Sequence, residues 1–264
     1  MNELALFAGA GGGILGGHLL GWRTVCAVEW EQYPACVLAA RQNDGLLPPF
    51  PIWDDVQTFD GKPWRGIVDV VSGGFPCQDI SAAGKGAGID GERSGMWKEM
   101  ARVICEVRPK FVFVENSPML TTRGLGTVLA DLAKMGFDAE WGVLGHDKLG
   151  GQHRRERIWI VAHSNKKPIQ SLGKRKSQSF QWGQTEKRSE SWVDFVVGND
   201  GTTPPSWRSR GQINDSRPIM WRNSDGVADG VDRIAVIGNG QVPQVAATAW
   251  NILKGRLDER YRPQ

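Results

Sequence analysis

Cys77 stands in Gly73-Gly74-Phe75-Pro76-Cys77-Gln78, directly after the apolar run Ile67-Val68-Asp69-Val70-Val71. A thiol at the carboxyl end of a core strand lies where open α/β sheets gather their active sites. Pro76 fixes one backbone dihedral, and the two glycines let other chain or a ligand come close. Such a thiol is either a packed small apolar group or a nucleophile. A second apolar run, Phe111 to Glu115, brings Glu115-Asn116-Ser117-Pro118 to the same edge. A carboxyl ending four apolar residues is half desolvated, which raises its pKa and lets it donate to a ring nitrogen of a base. Asn116 or Ser117 could equally fill a helix N-cap there. A third candidate is His153-Arg154-Arg155-Glu156-Arg157, before Ile158-Trp159-Ile160-Val161. Strand alternation puts Arg155 and Arg157 on one face, where planar donors suit a phosphate or a base carbonyl. A structural Arg–Glu network is the alternative.

Two further clusters suit a cofactor. Phe7-Ala8-Gly9-Ala10-Gly11-Gly12-Gly13 separates a first strand from a helix starting near Ile14, and its backbone N–H groups can approach a ligand. Its spacing differs from the dinucleotide fingerprint Gly-x-Gly-x-x-Gly, and it could be only a turn. Val28-Glu29-Trp30 ends the second strand with a carboxylate able to take ribose hydroxyls and an aromatic able to stack on adenine. Alone, Glu29-Trp30 could be a surface Glu beside a partly buried Trp; together with the glycine loop, the pair suits an adenosine-containing cofactor. Asp55 is a candidate acceptor for an adenine amino group or a turn residue. Ser81 to Gly95, with five glycines, should be mobile in the free protein and close over substrate.

The elements that must carry these residues are buried strands at Leu4–Phe7, Thr24–Val28, Ile67–Val71, Phe111–Glu115 and Arg157–Ala162. Helical periodicity covers Met96 to Val107 and Thr121 to Met135, and a helix-like stretch runs from Pro243 to Leu253. Strand and helix in alternation imply an α/β, doubly wound sheet. With 264 residues, 40% hydrophobic and 23% charged, the chain is an ordinary globular one. No apolar run is long enough to span a bilayer, and the N-terminus lacks a signal-peptide pattern, so a cytoplasmic protein is expected. Cys26, Cys36, Cys77 and Cys105 lack zinc-ligand spacing, so reduced thiols and no metal are expected.

Residues 152–222 hold 14 Lys/Arg against 6 Asp/Glu, a local +8 in a chain whose net charge is +3. That basic third suggests a polyanion partner or a solvated loop. Ser164 to Gly230 is polar, with Trp182, Trp192, Trp207 and Trp221. It divides a catalytic domain, 1–163 plus 231–264, by an inserted module, 164–230.

In order along the chain, Phe7-x-Gly9-x-Gly11-Gly12, Glu29-Trp30, Gly74-Phe75-Pro76-Cys77-Gln78, Glu115-Asn116, Arg155-Glu156-Arg157 and Gly238-Asn239 resemble the motifs of the DNA (cytosine-5)-methyltransferases, of bacterial or phage type. The resemblance covers about 195 residues. It implies a Rossmann-like fold with a mixed seven-stranded sheet, and S-adenosylmethionine as methyl donor. The insert would then be a target-recognition region, small for reading many base pairs. Cys77 would be the nucleophile toward carbon 6 of a cytosine flipped out of duplex DNA. Glu115 would hold or protonate the ring nitrogen, Arg157 would bind the base carbonyl, and Arg155 would steady the phosphate or flipped nucleotide. Phe7, Gly9, Gly11, Gly12, Glu29, Trp30, Asp55, Pro76 and Asn239 would serve the cofactor, with Asn239 also supporting the Pro-Cys loop. Gln78, Ser81 and Arg93 would touch DNA or the space the base leaves.

The family often carries an acidic residue at the position of Ala5, and its arginine-rich segment before Gly-Asn is reduced here to 223–233. The resemblance also implies double-stranded DNA as partner, a monomer, and a restriction endonuclease as an optional companion. The alternatives are the same chemistry on transfer RNA, against which Gln78 argues, and a DNA-binding homologue without catalysis. Amino-methylation is remote, since Leu47-Pro48-Pro49-Phe50 lacks the polar first residue that chemistry needs.

Overall fold

The computed structural model describes residues 1–76, 95–151, 154–164 and 240–261. Seven strands form one sheet: β1 Asn2–Leu6, β2 Arg23–Val28, β3 Ile52–Trp53, β4 Val70–Gly73, β5 Phe111–Asn116, β6 Phe137–Leu144 and β7 Arg157–Ser164. Their order is β3-β2-β1-β4-β5-β7-β6. The first five in that order run parallel, and β7 lies antiparallel between β5 and β6. The six α-helices among the described residues are α1 Gly12–Leu19, α2 Gln32–Asn43, α3 Met96–Val107, α4 Leu120–Arg123, α5 Leu125–Lys134 and α6 Pro243–Arg260.

Strand alternation sorts the core into layers. Leu4, Leu6, Val71, Val112, Val114, Ile158 and Ile160 point to one face, under α3 and α5 through Trp97, Met100, Ile104, Val128 and Leu132. Val70, Phe111, Phe113, Trp159 and Val161 point to the other, under Val245, Ala249, Trp250 and Leu253 of α6. Ala5 and Ala27 on that second face pack with Ile14 and Leu38 of α1 and α2. Sheets buried on both sides read as continuous apolar runs, which is why β4 and β5 stand out in the sequence.

Several elements differ from the sequence reading. The strand expected at Ile67–Val71 begins only at Val70, because Ile67 and Val68 donate their N–H groups to the Trp64 carbonyl in a turn. Ile67 is accordingly 50% exposed. The helix expected over Thr121–Met135 is two, broken at Gly124 with φ 153°. The first helix starts at Gly12 rather than near Ile14, and the last continues to Arg260 rather than Leu253.

Strands β3 and β6 were not anticipated. β6 carries a signal that could have found it: Phe137, Ala139, Trp141 and Val143 alternate with other residues and pack on the α3/α5 side. Arg155 lies ahead of β7, so alternation does not place it beside Arg157. Most of the proposed insert, residues 165–230, lies outside the described residues, as do 231–239. Among the described residues, no helix is long and apolar enough to cross a membrane.

Candidate active site

Strand order reverses direction between β1 and β4, and ligands of open α/β sheets sit in the crevice such a reversal opens. Register makes the crevice level. Val28 pairs with Leu6, Leu6 with Gly73, Gly73 with Val114, and Val114 with Ile160. One residue further along each parallel strand come Glu29, Phe7, Gly74 and Glu115.

On the β1 side, Phe7 leaves the strand with φ 51° and Gly11 caps α1 with φ 86°. At that φ any side chain on Gly11 is strained, and a Cβ would also lie 2.8 Å from Leu38 Cδ2. Ala8 N–H donates to the Val28 carbonyl at 3.1 Å. The buried Glu29 carboxylate accepts from Gly9 N–H at 2.6 Å through Oε2 and from Glu31 N–H at 2.8 Å through Oε1. Burial raises its pKa, against those two N–H donors, which lower it. Each oxygen keeps a further lone pair for a hydroxyl donor. Trp30 is 74% exposed, an indole face open to a planar ligand. Beside Gly9 there is open space where a side chain would be. These features fit an adenosine-bearing group. Asp55 spends Oδ1 on the Gln57 N–H at 2.8 Å, and its carbonyl accepts from Thr58 and Phe59, so it caps a turn. Arg102 of α3 fastens that turn through the Val56 and Phe59 carbonyls, a clamp the sequence reading missed.

On the β4–β5 side, Glu115 is buried and pairs with Arg157, Nε to Oε1, at 2.8 Å. Burial pushes its carboxyl above the ordinary range, while the Arg157 and Arg155 charges pull it partly back. Thus Arg155 acts on Glu115 although it precedes the strand; its guanidinium also donates to the Gly240 carbonyl. Asn116, buried, donates from Nδ2 to the Phe75 carbonyl at 3.0 Å and accepts the Ser117 N–H at 2.8 Å. It therefore fixes Phe75-Pro76, the segment that leads into Cys77. Gln241, unmarked in the sequence reading, donates from Nε2 toward Glu115 Oε2 at 3.5 Å. Its adjacency to Gly238-Asn239 was the available signal. Cys77, Gln78, Ser81, Arg93 and Asn239 lie outside the described residues.

The arrangement offers a desolvated carboxyl with cationic support, next to a glycine loop suited to an adenosine group. A carboxyl so placed can present a proton or a hydrogen bond to a heteroaromatic base. The C-5 cytosine-specific DNA methylase family matches residues 1–246. The chain belongs to this family.

Curated relatives include the type II methyltransferase M.PspPI of Psychrobacter sp., 36% identical over 161 residues, covering 59% of this chain and 38% of that protein. M.NgoBI of Neisseria gonorrhoeae is 34% identical over 172 residues, covering 64% and 52%. M.CviJI of Paramecium bursaria Chlorella virus IL3A is 28% identical over 188 residues, covering 70% and 49%. The chain thus spans between about two fifths and one half of the length of these relatives. Among solved structures, Spodoptera frugiperda DNMT2 superposes with a TM-score of 0.53 at 18% identity, over 70% of this chain and 56% of that one. The S. pombe Dnmt2 methyltransferase gives 0.50 at 19%, over 65% and 51%. These likenesses establish the fold, the mixed seven-stranded sheet expected from the sequence.

Proposed function

We propose that the chain methylates carbon 5 of cytosine in duplex DNA, with S-adenosylmethionine as methyl donor. The observation that carries this reading is the pairing of the buried Glu115 carboxyl with Arg157, at the sheet edge where β4 ends in Gly74-Phe75-Pro76, the residues that precede Cys77 in sequence. Membership of the cytosine-specific family supplies the substrate class.

Carbon 5 of cytosine is a poor nucleophile. The Cys77 thiolate bonds to carbon 6, and the electrons of the 5,6 double bond move into the ring as an enamine with nucleophilic carbon 5. Glu115 holds or protonates the ring nitrogen as negative charge gathers there, and Arg157 binds the base carbonyl. Arg157 engages Oε1, and Oε2, which Gln241 approaches at 3.5 Å, keeps a lone pair that could meet the base. S-adenosylmethionine, when bound, supplies a methyl group on a positively charged sulfur. Phe7, Gly9, Gly11, Gly12, Glu29, Trp30 and Pro76 form its seat, with Asn239 supporting the Pro-Cys segment; the turn role of Asp55 leaves Oδ2 for an adenine amino group. Loss of the carbon-5 proton restores the ring double bond and expels the thiolate. The base is reached only outside the stack, so it is flipped, with Gln78, Ser81 and Arg93 contacting DNA and residues 164–230 reading the site.

The test is transfer of labelled methyl groups to DNA and, in parallel, to transfer RNA. Bisulfite sequencing of DNA from expressing cells then locates the modified cytosine. Labelled DNA, unlabelled RNA and no activity in Cys77→Ser are expected. Labelling of transfer RNA alone overturns the substrate, and full activity of Cys77→Ser overturns the nucleophile.

A further inference from the structure

We propose that Gln241 is a positioning residue that ties the glycine loop after β1 to the Glu115 carboxyl and sets the plane in which that carboxyl meets the base. The proposal rests on the methyltransferase reading above.

Three glycines make room for this one residue, Gly12 and Gly13 at the start of α1 for its backbone and its amide oxygen, and Gly74 after β4 for its amide nitrogen. A Cβ at Gly12 would lie 2.3 Å from the Gln241 carbonyl oxygen, and one at Gly13 would lie 2.6 Å from its Oε1. A Cβ at Gly74 would lie 3.1 Å from its Nε2 and 2.6 Å from Glu115 Oε2. The amide thus spans the switch point, with Oε1 toward the first turn of α1 and Nε2 toward the tip of β5. Charge fixes that sense, because a carboxylate attracts an N–H donor and repels an amide oxygen.

The backbone around Gln241 is held on both sides. Arg155, at φ 20°, donates to the Gly240 carbonyl, and Pro243 opens α6 two residues later. α6 in turn meets α1 where Gly16 would collide with Ala246 if it carried a side chain, the Cβ distance being 2.8 Å. Gln241 is therefore a wedge fixed to both helices rather than a surface polar residue.

The chemistry follows from how the two carboxyl oxygens are shared. Arg157 engages Oε1 at 2.8 Å, and Gln241 approaches Oε2 at 3.5 Å, so each oxygen has a donor on its own side and rotation of the carboxyl is biased toward this plane. With only Arg157 remaining, Oε2 would swing about the terminal bond. The charged groups acting on Glu115 among the described residues are Arg157, which opens β7, and Arg155, two residues ahead of it; Gln241, just before α6, brings only its neutral amide.

The decisive experiment measures methylation by the full chain against pH, together with S-adenosylmethionine binding and melting, for wild type, Gln241→Met and Gln241→Glu. Met keeps the length and loses the donor. We expect kcat about tenfold lower in Gln241→Met, with cofactor Kd and Tm close to wild type. Its alkaline limb should move to higher pH, since a donor to the ionised carboxyl is gone. Gln241→Glu, which sets a second carboxylate against Glu115, should move that limb further in the same direction. Unchanged kcat and pH profile in Gln241→Met would overturn the proposal, as would an activity loss that follows Tm with the profile unmoved. A wild type that methylates nothing would instead overturn the functional reading.

Discussion

Replacing Glu3 by Gln isolates a carboxyl that the fold buries with no cation acting on it among the described residues. Glu3 sits in β1 on the face under α1, where Thr24 and Ser72 donate hydroxyls to its two oxygens at 2.7 and 2.6 Å. Burial pushes its pKa from 4.5 up to about 7, and the two hydroxyls offset only part of that rise. The sign follows from linkage. A carboxyl whose folded pKa is raised contributes its full stability below the unfolded value and loses it as pH rises through the folded one. At about 1.4 kcal/mol per pH unit between the two values, complete ionisation costs roughly 3 kcal/mol.

Gln has the shape of the protonated acid and can donate to either hydroxyl oxygen, so the fold should accept it. Chemical denaturation of both proteins from about pH 5 to about pH 8 is the assay, with the difference between them removing every other titrating group. Relative to wild type, Glu3→Gln should gain roughly 2–3 kcal/mol over that range. Parallel stability curves would refute the reasoning, for they would mean that Glu3 keeps an ordinary pKa inside the sheet.

Gly74→Ala should place its methyl against Glu115 Oε2, 2.6 Å away, and cut kcat about a hundredfold in steady-state methylation, as displacements of an ångström do. Trp30→Ala should leave the melting stability within about 0.5 kcal/mol, because the side chain is exposed, yet weaken calorimetric S-adenosylmethionine affinity by up to about tenfold. Glu115→Gln should lower single-turnover methylation by a factor on the order of 10²–10⁴ while DNA binding persists. Raising salt should weaken DNA binding steeply, because Lys166, Lys167, Lys174, Arg175 and Lys176 would release counterions from phosphates; a flat titration would remove them from the interface.

What the sequence made legible was whatever depends on a contiguous segment. β5 announces itself because both its faces are covered, and Glu115 is legible as the residue that ends it. Glu29 at the tip of β2 is legible for the same reason. Glu3 was not, since its partners stand 21 and 69 residues away and a lone glutamate after Asn2 reads as a surface residue. The same holds for the Arg102 clamp and for Gln241, whose neighbours come from three distant segments. Arg155 shows a subtler case. Alternation grouped it with Arg157, and it does act on Glu115, but through a bend before β7 rather than by sharing a strand face.

The level row Val28–Leu6–Gly73–Val114 explains why these distant residues form one site at all. Adjacent strands lie about 4.8 Å apart, so the three steps from β2 to β5 separate Glu29 and Glu115 by roughly 14 Å along the edge. A cofactor anchored at Glu29, as proposed, would extend across the end of β1 to reach the end of β4 at Gly74-Phe75-Pro76. Slipping one strand by a single residue would turn its side chains to the opposite face and break the row. Glu115 shares its face with Phe111 and Phe113, the face that α6 covers, and this brings Gln241 to the carboxyl. Packing of α6 against α1 and the sheet thereby holds Gln241 beside the carboxyl.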